Sequence, residues 1–151
     1  MQSKPKVLFL STGDGSRSHM AQGFLRNLGG DEFQVVSTGV DAGGPHALAV
    51  EAMMEAGIDV TKQPLATVKD SLRNSFVCAV IIYDPGSERS PTFPFALKLR
   101  RWRVADPCRM AGTPAERKQA FCIAREQIRS ETQKLYAEIG GPRPVWKPMA
   151  A

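Results

Sequence analysis

Near the amino terminus, a short apolar run leads through a loop of small residues directly into a helix. Residues 7–10 are Val-Leu-Phe-Leu, and the loop that follows has Gly13 and Gly15 between Ser11 and Arg17. Glycines allow successive backbone N–H groups to turn inward as a concave nest, and the helix that begins near Arg17 adds its N-terminal partial positive charge. The arginine guanidinium is a fork that matches two oxygens of a phosphate-like group. The sequence therefore predicts an oxyanion-binding loop. Its residues are Ser11, Thr12, Gly13, Asp14, Gly15, Ser16, Arg17 and Ser18.

Strand and helix patterns alternate along the chain. Apolar or β-branched runs predict strands at residues 6–10, 33–37, 76–83 and 100–104. Capping and periodic patterns predict helices at residues 18–27, 45–56 and 113–139. This alternation predicts an α/β three-layer sandwich, in which helices flank both faces of a four-stranded parallel sheet. Ligands of such sheets bind beyond the carboxyl ends of the strands, which is where the predicted anion loop lies.

Length and composition predict one domain with an ordinary core. The 151 residues divide into a predicted domain at 1–140 and a proline-rich tail at 141–151. No apolar run is long enough for a membrane span or a signal-peptide core, so we expect a cytoplasmic protein that does not contact membranes. The three cysteines show no metal-ligand spacing and are expected to be reduced thiols. The net charge of +5 favours anionic ligands only mildly.

An ordered series of motifs extends from this loop along most of the chain. Ser11 is followed by five residues and then Arg17-Ser18. Further matching segments lie at residues 20–25, 37–39, 45–51, 57–59, 93–94 and 102–107. The series resembles the low-molecular-weight protein tyrosine phosphatases and the thioredoxin-coupled arsenate reductases, which share one fold and the signature of a cysteine, five residues and Arg-Ser. The resemblance spans residues 6 to about 139 and implies that fold.

The resemblance places Ser11 where that family carries its nucleophilic cysteine. In the family, the thiolate attacks phosphorus or arsenic while the loop amides and the arginine stabilise the charge. A helix N-terminus can lower the pKa of a cysteine from about 8.5, whereas a serine hydroxyl needs a neighbouring general base. The nearby titratable side chains are His19 and Asp14. We expect His19 to project away from the loop interior into a surface or packing role.

Three other positions take their roles from the resemblance. Asp106, before Pro107, matches the family's general acid, and without a nucleophile we expect it to fix its loop. Ser18 matches a serine that stabilises the thiolate, and here it is expected to cap the helix. Asp14 stands where the family usually carries asparagine, and we expect it to hold the turn while weakening phosphate affinity.

The redox relay that the resemblance implies for arsenate reductases is interrupted. Its two further cysteines correspond here to Tyr83 and Ser90, and thiol–disulfide exchange cannot pass through a hydroxyl. Reduction by that route is excluded unless other thiols take over. Cys108 is the candidate nearest the predicted pocket mouth, although free cysteines more often pack as small hydrophobes. Cys78 and Cys122 are expected to pack within the fold.

Two other features are weaker signals. Residues 98–103 combine four basic residues with Trp102, but they overlap a predicted strand, so nucleic-acid binding is not favoured. Trp146 in the tail could contact a protein partner or pack back on the domain, and packing is favoured.

The Cys108-Arg109-Met110 segment lacks the aromatic residues that phosphotyrosine-specific relatives often carry, and the surrounding segments resemble the reductase branch more closely.

Three functions remain open from the sequence. The favoured one is a non-catalytic pseudo-enzyme that keeps its oxyanion loop for phosphate-, arsenate- or sulfate-like ligands, with a protein partner left open. An alternative is a low-molecular-weight phosphatase or arsenate reductase whose nucleophilic cysteine has been mutated to Ser11. The third is a serine-based hydrolase or a scaffold that has abandoned the anion site. No cofactor or metal is expected.

Overall fold

Strands and helices alternate in the computed structural model, which describes residues 4–13, 15–39, 45–63, 66–86, 93 and 96–140. The strands are β1 (Lys6–Ser11), β2 (Gln34–Gly39), β3 (Phe76–Tyr83) and β4 (Ala96–Arg103). The helices are α1 (Ser16–Gly29), α2 (Ala47–Glu55), α3 (Val68–Ser71) and α4 (Pro114–Ile139). A 3₁₀ turn at Pro107–Arg109 lies between β4 and α4.

The four strands form one parallel sheet in the order β2-β1-β3-β4. At its carboxyl edge, Ser11 of β1 stands opposite Gly39 of β2 and Ile82 of β3. The ends of these central strands therefore meet at one place, and the predicted anion loop leaves the sheet from there. The predicted α/β class with a four-stranded parallel sheet is confirmed.

The apolar run of β1 is buried on both faces of the sheet. Val7 and Phe9 pack in a large core with side chains of α1 and α4, whereas Leu8 and Leu10 pack in a second core on the opposite face. This two-sided burial explains why the strand is continuously apolar rather than alternating. Helix α3 lies on the second face, because its Asp70 and Ser71 share a cavity with Val36 of the sheet.

The predicted starts of two helices are wrong, each for a local reason. Helix α1 begins at Ser16, two residues early, because Gly15 takes a left-handed φ of 88° and serves as the N-cap; Ser18 does not cap it. Helix α2 begins at Ala47 because the imidazole Nδ1 of His46 accepts a hydrogen bond from the amide of Leu48. Helix α3 and the 3₁₀ turn were not predicted, since each is one turn long or shorter.

Strand β4 is longer than predicted because its charged residues have partners on α4. It begins at Ala96 rather than at residue 100 and pairs with β3 along its whole length. Lys98 and Arg100 both form ion pairs with Glu138 near the end of α4. These two cationic side chains therefore lie on one face of an edge strand and share a partner on α4.

Within the described part of the chain, no helix has both the length and the apolar character that crossing a membrane requires. The proline-rich tail at 141–151, including Trp146, lies outside the described residues. The division into a domain at 1–140 and a tail therefore stays a prediction.

A capping box starts the longest helix. The Thr113 hydroxyl accepts from the amide of Glu116 at 3.1 Å, and the Glu116 carboxylate accepts from the amide and hydroxyl of Thr113. We expect Thr113→Ala to lower the free energy of unfolding by about 1 kcal/mol and the midpoint temperature by about 3 °C, because amides of the first turn lose their acceptor. Calorimetric unfolding would measure this, with Thr113→Ser as the control that keeps the hydroxyl. Equal destabilisation by both variants would contradict the role of the cap.

Candidate oxyanion site at the carboxyl edge of the sheet

The loop between β1 and α1 is shaped by two glycines in the left-handed region. Gly13 has a φ of 114° and Gly15 a φ of 88°, values that other residues rarely adopt. Helix α1 then begins after Gly15 as its N-cap, and the Gly15 carbonyl accepts from the amide of His19 at 2.9 Å. The N-terminus of α1, with its partial positive charge, therefore lies at the end of this loop. Asp14 lies outside the described residues, so its turn-holding role stays a prediction.

Backbone from β2 closes against this loop. A Cβ atom added at Gly39 would lie 2.7 Å from both the Cα and the N of Gly15, and 3.0 Å from the carbonyl oxygen of Gly13. These neighbours are backbone atoms and cannot rotate away. Gly39 is therefore required by the close approach of two chain segments rather than by a turn.

Arg17 is buried within the site, with 2% of its surface exposed. Its guanidinium donates to the carbonyl of Val104 at 2.9 Å, just beyond β4, and to the carbonyl of Thr12 in the loop. It also lies 3.7 Å from the Asp106 carboxylate. A buried cation needs such partners, so the fold brings an intact guanidinium fork to the carboxyl edge of the sheet.

Asp106 holds its loop through its backbone and its side chain. Its amide donates to the Asp84 carboxylate at 2.9 Å, and its own carboxylate accepts from the amide of Cys108 at 2.9 Å. The carboxylate is 8% exposed and lies between the cations of Arg17 and Arg109. Asp106 is thus beside the predicted anion loop, and its hydrogen bonds are those of a residue that caps the 3₁₀ turn.

The hydroxyl of Ser11 is buried and bonded to another hydroxyl. Ser11 Oγ donates to Ser18 Oγ at 2.9 Å, and Ser18 Oγ lies 2.9 Å from the carbonyl of Gly15 and 3.1 Å from that of Thr38. Ser18 has one proton of its own, which it shares between these two carbonyls. Its oxygen accepts the hydrogen bond from Ser11, but a neutral hydroxyl is not a base that could remove the Ser11 proton. Among the described residues, no basic side chain therefore forms a hydrogen bond with the Ser11 hydroxyl.

His19 lies between the loop and β2. Its ring Nδ1 lies 3.2 Å from the carbonyl of Gly15 and 3.3 Å from the hydroxyl of Ser37, and the residue is 1% exposed. The Ser37 hydroxyl donates in turn to Gln22 at 2.7 Å. The ring belongs to a buried polar network between α1 and β2, in agreement with the predicted packing role.

None of the three cysteines lies at the nucleophile position. Cys78 is buried in the core, and desolvation raises the pKa of its thiol to about 11. Cys108 and Cys122 are partly buried against one apolar cluster that includes Phe121. Cys108 thus adjoins Asp106 through its backbone amide, while its side chain packs on that cluster. Tyr83 is half-buried, and its hydroxyl accepts from the Arg103 guanidinium at 3.4 Å; Ser90 lies outside the described residues.

The basic segment of β4 does not present an aromatic side chain to solvent. Trp102 is 7% exposed and packs on Phe9 at a ring separation of 5.7 Å. Arg100 donates a hydrogen bond to Glu138, which lowers the pKa of that carboxyl. Nucleic-acid binding through base stacking therefore gains no support here. Across the described ranges, no group of three or more His, Cys, Asp or Glu side chains is placed to hold a metal ion.

Curated relatives match this chain over nearly its whole length. An arsenate reductase of Shouchella clausii is 35% identical over 138 residues, which cover 91% of this chain and 99% of the relative. The chain belongs to the arsenate reductase family. An arsenate reductase of Bacillus subtilis is 34% identical over 134 residues, with 89% and 96% coverage. The predicted resemblance to this family is confirmed, while no protein-family model matches the chain.

Solved structures of the family share the fold. An arsenate reductase in its oxidised state superposes with a TM-score of 0.75 at 26% identity, covering 89% of this chain and 98% of that one. A low-molecular-weight protein tyrosine phosphatase from T. tengcongensis gives 0.67 at 21% identity, with 90% and 100% coverage. The second likeness shows the fold alone.

Sequence reasoning missed several residues that shape the site. The carbonyl of Val104, the carboxylate of Asp84 and the guanidinium of Arg109 all contact predicted site residues. Asp84 follows directly after the most apolar strand, a position that could have marked it. Arg109 stands three residues after Asp106, a spacing at which side chains meet across one helical turn. A carbonyl contact such as that of Val104 leaves no sequence signal.

The backbone contact at Gly39 gives a test of the loop geometry. We expect Gly39→Ala to lower the free energy of unfolding by about 1–3 kcal/mol and to shift the amide resonances of residues 15–18, because the new methyl group would overlap Gly15. Denaturant unfolding and amide NMR spectra would measure both effects.

Gly57→Ala is the matched control, since Gly57 has a φ of 81° but no atom within 4 Å of an added Cβ. Backbone strain in this variant should lower the free energy of unfolding by about 1 kcal/mol, while the amide resonances of residues 15–18 stay unchanged. Unchanged loop resonances in Gly39→Ala would contradict the proposed contact.

Proposed function

We propose that this chain is a non-catalytic member of the arsenate reductase family that binds tetrahedral oxyanions in the loop at residues 11–18. The observation that carries the proposal is the pairing of the Ser11 hydroxyl with the Ser18 hydroxyl. A serine attacks phosphorus or arsenic only when a base removes its proton, and a second hydroxyl is not such a base. The side chain at the head of the loop is therefore a neutral hydrogen-bonding group.

Three features of the site support anion binding. The left-handed glycines turn the loop backbone, the start of α1 places the positive end of the helix dipole beside the loop, and Arg17 adds a buried positive charge. Among the described residues, the buried hydroxyl of Thr12 also has no hydrogen-bond partner. In this proposal an arriving anion exchanges with the carbonyl contacts of Arg17 and takes up its fork bidentately.

The family supplies the candidate ligands. Relatives that match most of the chain are named arsenate reductases, and a structural neighbour is described as an arsenate reductase in the phosphate-binding state. Arsenate and phosphate share size, shape and charge. We therefore propose phosphate- and arsenate-like oxyanions as ligands, with sulfate as a useful probe of fixed charge.

The alternative is a family enzyme that has lost only its nucleophile by substitution at Ser11. The proximity of Arg17 and Asp106, at 3.7 Å, supports it, because an arginine and a candidate acid then still stand beside the loop. For a thiol relay, Tyr83 and Ser90 would have to be replaced as well.

Replacing Ser11 with cysteine distinguishes these two proposed functions. We expect no detectable hydrolysis of p-nitrophenyl phosphate by the chain as it stands, and a rise of at least about a hundredfold above that background in Ser11→Cys if the remaining site is competent. Thioredoxin-coupled arsenate reduction should require Ser11→Cys, Tyr83→Cys and Ser90→Cys together. Ser37→Cys is the control for an added buried thiol on β2. Ready hydrolysis by the unchanged chain would overturn the non-catalytic proposal.

Arg17 gives the direct test of anion binding. We expect calorimetry to detect phosphate, arsenate and sulfate binding, and expect Arg17→Ala to weaken it at least about tenfold, since charge-assisted hydrogen bonds are worth roughly 1.5–3 kcal/mol each. Arg17→Lys should fall between the two, because it keeps the charge but loses the fork. Circular dichroism would check that each variant is folded. Binding that is unaffected by Arg17→Ala in a folded protein would place the anion elsewhere.

A further inference from the structure

One carboxylate oxygen stands between two guanidinium groups at the edge of the site. Asp106 Oδ2 lies 3.7 Å from a terminal nitrogen of Arg17 and 3.6 Å from Nε of Arg109. Asp106 Oδ1 is held by the amide of Cys108 at 2.9 Å, so the carboxylate cannot readily turn away. Arg17 is buried, whereas the side chain of Arg109 is 59% exposed.

This carboxylate opposes the binding of an anion at Arg17. When an oxyanion binds the guanidinium of Arg17, the ion pair between Arg17 and Asp106 weakens. At the same time a second negative charge is placed beside the Asp106 carboxylate. The repulsion between them grows in proportion to the charge of the ligand, so a dianion is disfavoured more than a monoanion.

We infer that Arg109 is a positioning residue that neutralises Asp106 and thereby allows dianionic oxyanions to bind at Arg17. The inference rests on the proposed function and adds a charge-selectivity determinant to it. Arg109 suits this role because it stays beside Asp106 when Arg17 turns to the ligand. Asp106 is the N-cap of the 3₁₀ turn at Pro107–Arg109, and Arg109 is its last residue. The turn therefore fixes the spacing between the Asp106 carboxylate and the Arg109 guanidinium.

Arg109 acts from the solvent side, which keeps its own burial cost low. A mostly exposed guanidinium remains hydrated while one nitrogen approaches the carboxylate. Its effect should therefore be modest and sensitive to ionic strength. Measurements at low and constant ionic strength will show it best.

The test is a double-mutant cycle with two tetrahedral anions of fixed charge. Sulfate serves as the dianion and perchlorate as the monoanion, and amide NMR shifts of residues 15–18 report binding at neutral pH. We expect Arg109→Ala to weaken sulfate binding about tenfold and perchlorate binding about threefold. The reason is that the repulsion energy between the ligand and the unneutralised Asp106 carboxylate is proportional to the charge of the ligand. In the Asp106→Asn background, Arg109→Ala should change neither affinity by more than about 1.5-fold.

Two further variants separate the charge of Arg109 from its shape and from its place in the fold. Arg109→Lys should keep most of the sulfate affinity, because it keeps a cation at the turn. Arg26→Ala, at the far end of α1, removes the same charge away from the site and should leave both affinities unchanged.

The outcomes separate this inference from the proposed function. Equal losses for sulfate and perchlorate, or the same loss with and without the Asp106 carboxylate, would refute the role of Arg109 while anion binding stands. If sulfate does not shift the loop amides of the unchanged chain, the proposed function itself fails.

Discussion

The guanidinium of Arg17 ties together segments that lie far apart in the sequence. It is buried, and a buried cation is tolerated only where acceptors and counter-charge surround it. Those acceptors are the carbonyls of Thr12 and Val104, and the counter-charge is Asp106. The path of the loop after β1 and the exit of the chain from β4 are thus fixed relative to each other. At the carboxyl edge, this one side chain therefore links the loop after β1 to the segment after β4.

Family membership and chemical competence are separate properties of this chain. The match to arsenate reductases extends over about nine-tenths of its length, so the scaffold is theirs. The proposed loss of activity depends on the side chains at three positions, Ser11, Tyr83 and Ser90, which hardly affect overall similarity. A fold that holds an anion through backbone amides and an arginine can keep that capacity after its nucleophile has changed, because the two use different atoms.

The sequence predicted the α/β class and the location of the loop because these depend on local patterns. A continuously apolar β1 and an alternation of strands and helices suffice for a parallel sheet. The length of β4 was wrong because Glu138, which pairs with its cations, lies about forty residues further along the chain. The contacts of Asp84 and Arg109 were missed because they exist only once β3, β4 and the 3₁₀ turn meet. Such pairings are set by tertiary structure and leave little trace in local periodicity.

The near contact of Gly15 with Gly39 couples the proposed anion loop to a strand from the neighbouring βα unit. Because neither glycine has a side chain that could rotate away, a sideways movement of β2 would displace the backbone of the loop at Gly15. The register of β2 and the geometry of the proposed anion site should consequently change together under evolution or redesign. A scaffold engineer who wishes to reshape this site would need to remodel β2 at the same time.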